Sequence, residues 1–493
     1  MFGPGLGNTS HGNTSRPITC GSCKNKDKMN CQLQMTTSFV ANFGSLINFG
    51  CLAGALLGGS FVDIFGKKKG MFLGNFMGLI GWLLIVMMPN PSGVKGGDAL
   101  AAGARNATGW DGKTTSAANE STIHVMLMVA RMAIGVGVGI ICCSVNAYQV
   151  ELSTLKLRGA IGTMFQFGIV IGIFVTYLVG SIVTWKTLGV ISLAMSSAGC
   201  VLLVLVPESP VWLVSKGRDR EARAALVRVR NPNVGNVDDM LAKMKEGTSD
   251  GPTEQAGFRF LLSDKASRRA LFIGVGLMVV QQFGGINAVM FYCGTILQAV
   301  TDGDVDKANT LAVGVQAVQL VTTGLSAFMM DRAGRKPILL WAAAGQAICS
   351  TLLGLYFIGV AKSESIALVG LYGYVFFFAS GMGAIPWSIM AEIFDPKVKG
   401  LASSLATAMN WLLSWVITFT VNDLKSGWQK VFENHGNTHE NAGMGGVFFT
   451  YGAISLLGCF FIWFIIPETK GKETSQIIAE LRGETRSGYT QIN

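Results

Sequence analysis

Charge is scarce in this chain. Asp, Glu, Lys and Arg make up 14% of its 493 residues, where a soluble domain carries roughly a quarter, so a water-soluble globule of this length is excluded. Histidine is scarcer still, at four residues. No His/Cys/Asp/Glu cluster has metal-ligand spacing and no plausible catalytic triad is present, which argues against an enzyme. No G-x-x-x-x-G-K-[ST] phosphate loop occurs, which argues against an ATP-driven pump. The nearest glycine pattern, AIGVGVG at 133–139, follows no strand and lies in an apolar run, so it reads as helix packing. Basic and aromatic residues are not interleaved as in single-strand binders, so nucleic acid is not an expected partner. Residues 1–37 contain no signal-peptide h-region.

What is abundant is apolar side chain and glycine: half the residues are hydrophobic and 63 are Gly. Apolar runs of about 20 residues recur from residue 38 to 466, each long enough to cross a bilayer. Hydrocarbon offers backbone groups no partner, so each run pairs its own backbone as a helix, and glycine lets such helices approach closely. The expected fold class is an all-α polytopic membrane protein. Eleven spans are expected near 38–62, 70–88, 123–148, 159–183, 187–206, 269–298, 308–330, 336–360, 366–391, 401–422 and 446–466. Placing the loop with Lys67, Lys68 and Lys69 in the cytosol and alternating from there puts 26 Lys and Arg inside and 12 outside, in keeping with the positive-inside rule. The +10 net charge therefore reflects topology. The same topology puts the glycosylation sequons at Asn8, Asn13, Asn106 and Asn119 outside and the C-terminus in the cytosol, with the plasma membrane as the expected location. Cys20, Cys23 and Cys31 fall in the polar outer segment 1–37. With no second pair to complete a zinc site, a disulfide or unpaired thiols is expected.

The chain repeats itself. Asp63, Gly66 and Lys67 are matched by Asp331, Gly334 and Arg335; Glu151 stands seven before Arg158 as Glu392 stands seven before Lys399; Pro207-Glu208-Ser209 is matched by Pro467-Glu468-Thr469. All copies fall on the cytosolic side, which implies parallel repeats about an axis along the membrane normal. A carboxylate at one helix end facing Lys or Arg of another helix makes a charge-assisted contact. In duplicate, such contacts form a latch that a rocking motion breaks. The organisation expected is an extracellular segment 1–37, a five-span bundle 38–206, a cytosolic linker with short helices 207–268, a six-span bundle 269–466 and a tail 467–493. Within the linker, residues 231–256 read nearly as well as solvated coil.

The motifs DIFGKKKG, ELSTLKLRGAIGTMFQFGIVIGI, PESPVWL, QQFGGINAVMFY, DRAGRKP, GMGAIPWSIMAEIF, PKVKGLASSLATAMNW and PETKGKE run in order over residues 63–473. In this set and spacing the chain resembles the sugar porter family of the major facilitator superfamily, which includes facilitative glucose transporters and proton–hexose symporters. The resemblance implies twelve helices in two six-helix bundles, one central sugar site and alternating access. It also implies a monomer whose partners are a small sugar and the bilayer, and no cofactor beyond a coupled proton in symporting members. The chain departs from the pattern in lacking a counterpart of the family's first helix, for which a truncated gene model is the expected account. It also carries Gln319 where members often have Asn, Ala379 where some have Glu, and Lys399 where Arg is usual.

Amides in an apolar run ask for a polar guest. A sugar hydroxyl both donates and accepts, as does a carboxamide, and leaving a buried hydroxyl unpaired costs ~1–3 kcal/mol. Gln281, Gln282 and Asn287 are read as sugar ligands. On an unbroken helix Gln282 and Asn287 would lie about 140° apart; Gly284-Gly285 between them permits the bend they need. The resemblance adds Gln166, Gln319, Trp387 and Asn410 as sugar contacts and Tyr292, Phe378 and Trp411 as gate residues. The duplicated charges place Asp63, Lys67, Glu151, Arg158, Asp331, Arg335, Glu392 and Lys399 in the latch. Arg131, a charge inside a span, is expected to join that latch beside Glu392 and Arg158, or to be the partner of a coupling acid. The expected function is hexose transport by uniport or proton symport. A polyol or myo-inositol symporter, and a sugar receptor or inactive relative that binds without turnover, stand as alternatives.

Overall fold

The computed structural model describes residues 37–88, 117–153, 158–229, 236–246, 258–395, 397–437, 439–472 and 474–484. Cys20, Cys23, Cys31, Asn8, Asn13 and Asn106 lie outside these residues, as do the side chains of Asn119, Arg158 and Asp331.

Apolar runs become helices throughout. The first set comprises α1 (Thr37–Phe65), α2 (Lys67–Met87), α3 (Ala117–Leu152), α4 (Arg158–Gly180) and α5 (Trp185–Leu205). Four short helices follow: α6 (Pro210–Ser215), α7 (Asp219–Val229), α8 (Val237–Glu246) and α9 (Phe258–Ser263). The second set comprises α10 (Lys265–Phe283), α11 (Ile286–Val300), α12 (Val305–Ala333), α13 (Arg335–Phe357), α14 (Glu364–Phe377), α15 (Ile385–Ile393), α16 (Lys399–Asn434) and α17 (Ala442–Ile465), with α18 (Thr474–Arg482) after it. Among the described residues eleven stretches are long and apolar enough to cross a bilayer, with α10–α11 and α14–α15 each counting as one interrupted span. Short helices do occupy the linker, and α8 falls where coil was nearly as strong an expectation. The helix expected to end near residue 422 runs on to Asn434. Its polar extension is held by Trp428 Nε1 donating to Thr450 Oγ1 (3.0 Å) and Gly443 N donating to Gln429 Oε1 (2.7 Å).

In the first set α1 and α2 both pack on α3, and α2 also packs on α5. Gly50, Gly54 and Gly58 recur every four residues on α1 and let it lie against the backbone of α3; a side chain at Gly54 would strike the Val136 carbonyl. In the second set α13 packs on α14 and α17, and α10 on α16 and α17. Two seams join the sets, α1 against α16 and α4 against α12. Among the described residues no helix takes the place beside α4 and α5 that α10 takes beside α16 and α17, and Ile169, Ile171, Val190 and Met195 are exposed there.

Two spans of the second set are broken side by side. Gly284 and Gly285 separate α10 from α11, with Gly285 left-handed at φ 95°. A Cβ there would enter the Tyr451 ring. Gly284 O accepts from Tyr374 Oη at 2.7 Å. The second break is a π-type turn at Phe378–Met382, followed by Pro386 in the first turn of α15. A broken helix leaves carbonyls without partners, which hydrocarbon penalises. Gln281 Nε2 supplies the missing donor, reaching Met382 O (2.5 Å) and Gly383 O (3.3 Å). Gly285→Ala is expected to lower thermal stability by more than ~1 kcal/mol. Gly294→Ala, where a Cβ meets nothing within 4 Å, should leave the melting temperature in place. Equal shifts in the two variants would contradict the break as a strained, specified turn.

Candidate functional site

The break brings the amides together. Asn287 Nδ2 donates to Gln282 Oε1 (2.5 Å) and to Ser414 Oγ (2.7 Å), and Gln282 Nε2 donates to Asn410 Oδ1 (2.6 Å). Carboxamides from α10, α11 and α16 thus form one chain. Gln282 and Asn410 are buried, while Asn287 keeps partial exposure. Gln281 faces the other way, into the second break.

The first set meets this cluster through α4. Gln166 Cγ lies 3.8 Å from where a Gly383 Cβ would stand, and Gly383 O is the acceptor that Gln281 uses. Phe165 sits edge-on to Trp387 at 5.6 Å. Gln319, on α12 opposite α4, is buried, and among the described residues its Oε1 has no hydrogen-bond partner. Trp411 Nε1 has none either. A buried polar atom without a partner costs ~1–3 kcal/mol, so these atoms suit a guest that brings hydroxyls. Phe378 is buried in the π-type turn with its ring against Gly383. Tyr292 lies away from that ring: its Oη accepts from Asn422 Nδ2 (3.2 Å), and it lines a separate cavity of about 20 Å³ with Lys425 and Tyr451.

Sequence reasoning missed Ser414, which closes the amide chain, and Gln316, one turn before Gln319. Gln316 is fully buried, with Oε1 unpartnered and Nε2 3.9 Å from Met290 Sδ. Its i, i+3 spacing from Gln319 was the available signal.

The repeated charges gather at the end of the bundle that carries Lys67 and Arg335, here called the basic end. Lys67 Nζ pairs with Glu151 at 2.9 Å, and Arg335 with Glu392 at 3.0 Å. Ser209 Oγ donates to the other Glu151 oxygen at 2.5 Å. Glu208 accepts from the backbone N–H of Lys67 and Lys68, both at 3.0 Å. Glu468 accepts from those of Arg335 (3.0 Å) and Lys336 (3.1 Å). Each carboxylate caps the first turn of a long helix, where N–H groups lack intrahelical partners. Gly66 and Gly334, at φ 103° and 92°, let the chain turn sharply beneath those caps. The capping role of Glu208 and Glu468 was not read from sequence, although the duplicated Pro-Glu carried it.

Two expectations are corrected. The ion pairs lie within each set, so a rocking motion about the seams need not break them. Lys399 Nζ donates to Ala391 O at 2.8 Å, and Glu392 pairs with Arg335 from another helix. Arg131 is far from Glu392: it lies over the Phe43 ring at 4.2 Å, about 30 Å along α3 from Glu151 at 1.5 Å per residue. Contacts that cross between sets at the basic end include Gly59 against Ser404, Gly162 against Ser388, and the Asp63 carboxylate against the first turn of α16 at Gly400, a placement the helix dipole favours.

Two sets of spans repeated in parallel, six in the second and five described in the first, with two broken helices meeting at uncharged amides, match the architecture of a major facilitator transporter less one span of the first set. The profile of the family described as "Sugar (and other) transporter" matches residues 12–481. "Sugar transporter ERD6-like 7" of Arabidopsis thaliana is 32% identical over 453 residues, covering 91% of this chain and 86% of that protein. "Facilitated trehalose transporter Tret1" of Bombyx mori is 31% identical, covering 93% of this chain and 82% of its own. The structure of the proton:xylose symporter XylE bound to 6-bromo-6-deoxy-D-glucose superposes with a TM-score of 0.74 at 23% identity, over 92% of this chain and 93% of that one. This chain belongs to the sugar transporter family of the major facilitator superfamily.

Removing Glu392 leaves the buried Arg335 guanidinium uncompensated, at a cost of about 3–5 kcal/mol. Glu392→Ala is therefore expected to lower the melting temperature while leaving thiol labelling of a Ser388→Cys reporter from the basic end near the parent's. A several-fold rise in labelling without loss of stability would tie the pair to the orientation equilibrium instead.

Proposed function

We propose that this protein carries a monosaccharide, a hexose by preference, across the plasma membrane by alternating access, with the basic end in the cytosol. The observation that supports this most is the uncharged amide chain Asn410–Gln282–Asn287–Ser414 beside the helix breaks. Carboxamides match hydroxyls without asking the guest for charge. Gln166 from the first set and Gln281, Gln319 and Trp387 from the second complete the proposed sugar contacts. Trp387 offers an apolar ring face to sugar C–H groups. Phe378 and Trp411 bound the path beside the amides, Tyr292 stands further along α11, and the basic-end pairs keep each set rigid as the seams open and close.

A second reading is carriage of a disaccharide. It is favoured by the trehalose transporters among the relatives. Entry of labelled glucose and labelled trehalose into proteoliposomes, each driven by counterflow, separates the two. The hexose reading expects glucose to exchange and trehalose not to compete; the reverse order would overturn it. Repeating uptake with an imposed pH gradient reads proton coupling directly.

Gln282→Ala removes one acceptor and one donor from the chain and leaves Asn287 and Asn410 short of partners. The expected outcome is a rise in the KM for sugar of roughly 10- to 100-fold, with membrane expression intact. A KM equal to the parent's would refute the site.

A further inference from the structure

At the basic end, α1, α2, α5, α6 and α7 enclose a groove of about 610 Å³ that the transport reading does not use. Its upper wall is apolar and open: Phe65, Phe72 and Phe76 are 46%, 45% and 44% exposed, with Leu203 and Val204 beside them. Its lower rim is polar, formed by Lys68, Lys69, Glu208, Arg218 and Glu221. The groove lies where α2 begins and α5 ends, so apolar wall and polar rim meet at the membrane boundary.

The charges on the rim are not equally committed. Glu208 is spent on the N–H groups of Lys67, Lys68 and Ser209. Arg218 and Glu221 neutralise each other through bonds of 2.8 and 2.6 Å. Among the described residues Lys68 Nζ donates to Val204 O alone, at 3.0 Å, and meets no carboxylate. Lys69 is exposed and has no partner among the described residues. In the second repeat the positions of Lys68 and Lys69 are held by Lys336 and Pro337. The ion pair with Glu151 uses Lys67, so Lys69 is an addition peculiar to the first repeat.

We propose that this groove is a binding site for one anionic phospholipid of the leaflet at the basic end. Its phosphate sits between the ammonium groups of Lys68 and Lys69, and its upper acyl segments lie along Phe65, Phe72, Phe76 and Leu203. Two ammonium groups without carboxylate partners favour net negative charge. The aromatic wall favours a ligand with chains over a soluble anion.

The test uses the full-length protein, delipidated in detergent and titrated with phosphatidylglycerol or phosphatidylcholine, with bound lipid counted by native mass spectrometry. The parent protein is expected to retain one phosphatidylglycerol that phosphatidylcholine does not replace. Lys68→Gln/Lys69→Gln should weaken that retention by roughly 20-fold, whereas Lys362→Gln, at the opposite end, should not. The melting temperature in phosphatidylcholine reports that the double variant is folded. Equal retention in parent and folded double variant, or equal retention of the two lipids, would overturn the proposal. If the double variant does not fold, Lys69→Gln alone is titrated, and it must lose affinity. Displacement of the lipid by millimolar inorganic phosphate would point to a soluble anion and would also overturn it. None of these outcomes depends on which sugar is carried.

Discussion

Hydrocarbon permits a polypeptide to leave its backbone unpaired almost nowhere, and this chain breaks two helices in the middle of the membrane. Each break is made tolerable by a side-chain amide or hydroxyl. Gln281 reaches the carbonyls freed at the π-type turn, and Tyr374 donates to the carbonyl of Gly284. The remaining amides then face each other across the α10–α11 break. The constraint that a break be satisfied and the presence of a sugar-like polar lining are the same fact seen from two sides. An amide bonded to a neighbouring amide can exchange that bond for one to a hydroxyl at little net cost, because both partners donate and accept.

The basic end follows a different logic. The ion pairs and capping carboxylates there tie helices within a set, while contacts across the seams include small residues, Gly59 on Ser404 and Gly162 on Ser388. Buried charged bonds inside each set, with neutral contacts such as Asn48 Nδ2 donating to Thr418 Oγ1 (3.1 Å) and Tyr177 Oη donating to Met290 O (2.9 Å) between sets, suit rigid-body motion. Asp63 adds a charge, reaching across to the start of α16. Its attraction to a helix N-terminus is modest, on the order of 1 kcal/mol, and so can be given up in each cycle.

Much of this was legible in the sequence. Eleven spans follow from run length alone, and the Gly284-Gly285 break follows from the angular mismatch between Gln282 and Asn287. The duplicated charges at 67/335 and 151/392 located the basic end. What the sequence hid was pairing. Glu151 stands seven residues from Arg158, yet it pairs with Lys67 because α3 packs along α2 and brings its last turn to that helix's first. Glu208 and Glu468 bond backbone N–H groups more than a hundred residues away, which no side-chain pattern marks. Arg131 drew a functional reading from its charge, and its depth in α3 sets it beside Phe43 at the far end.

The central claim is that two rigid sets of helices part and meet at the basic end around a sugar held by the amides. A Gly59→Cys/Ser404→Cys pair, oxidised in proteoliposomes, would tie α1 to α16 at that seam, and sugar counterflow through it tests the claim most directly. The account predicts that exchange stops when the disulfide forms, that sugar binding persists, and that reductant restores exchange. Counterflow continuing at the parent rate through a fully oxidised pair would contradict it.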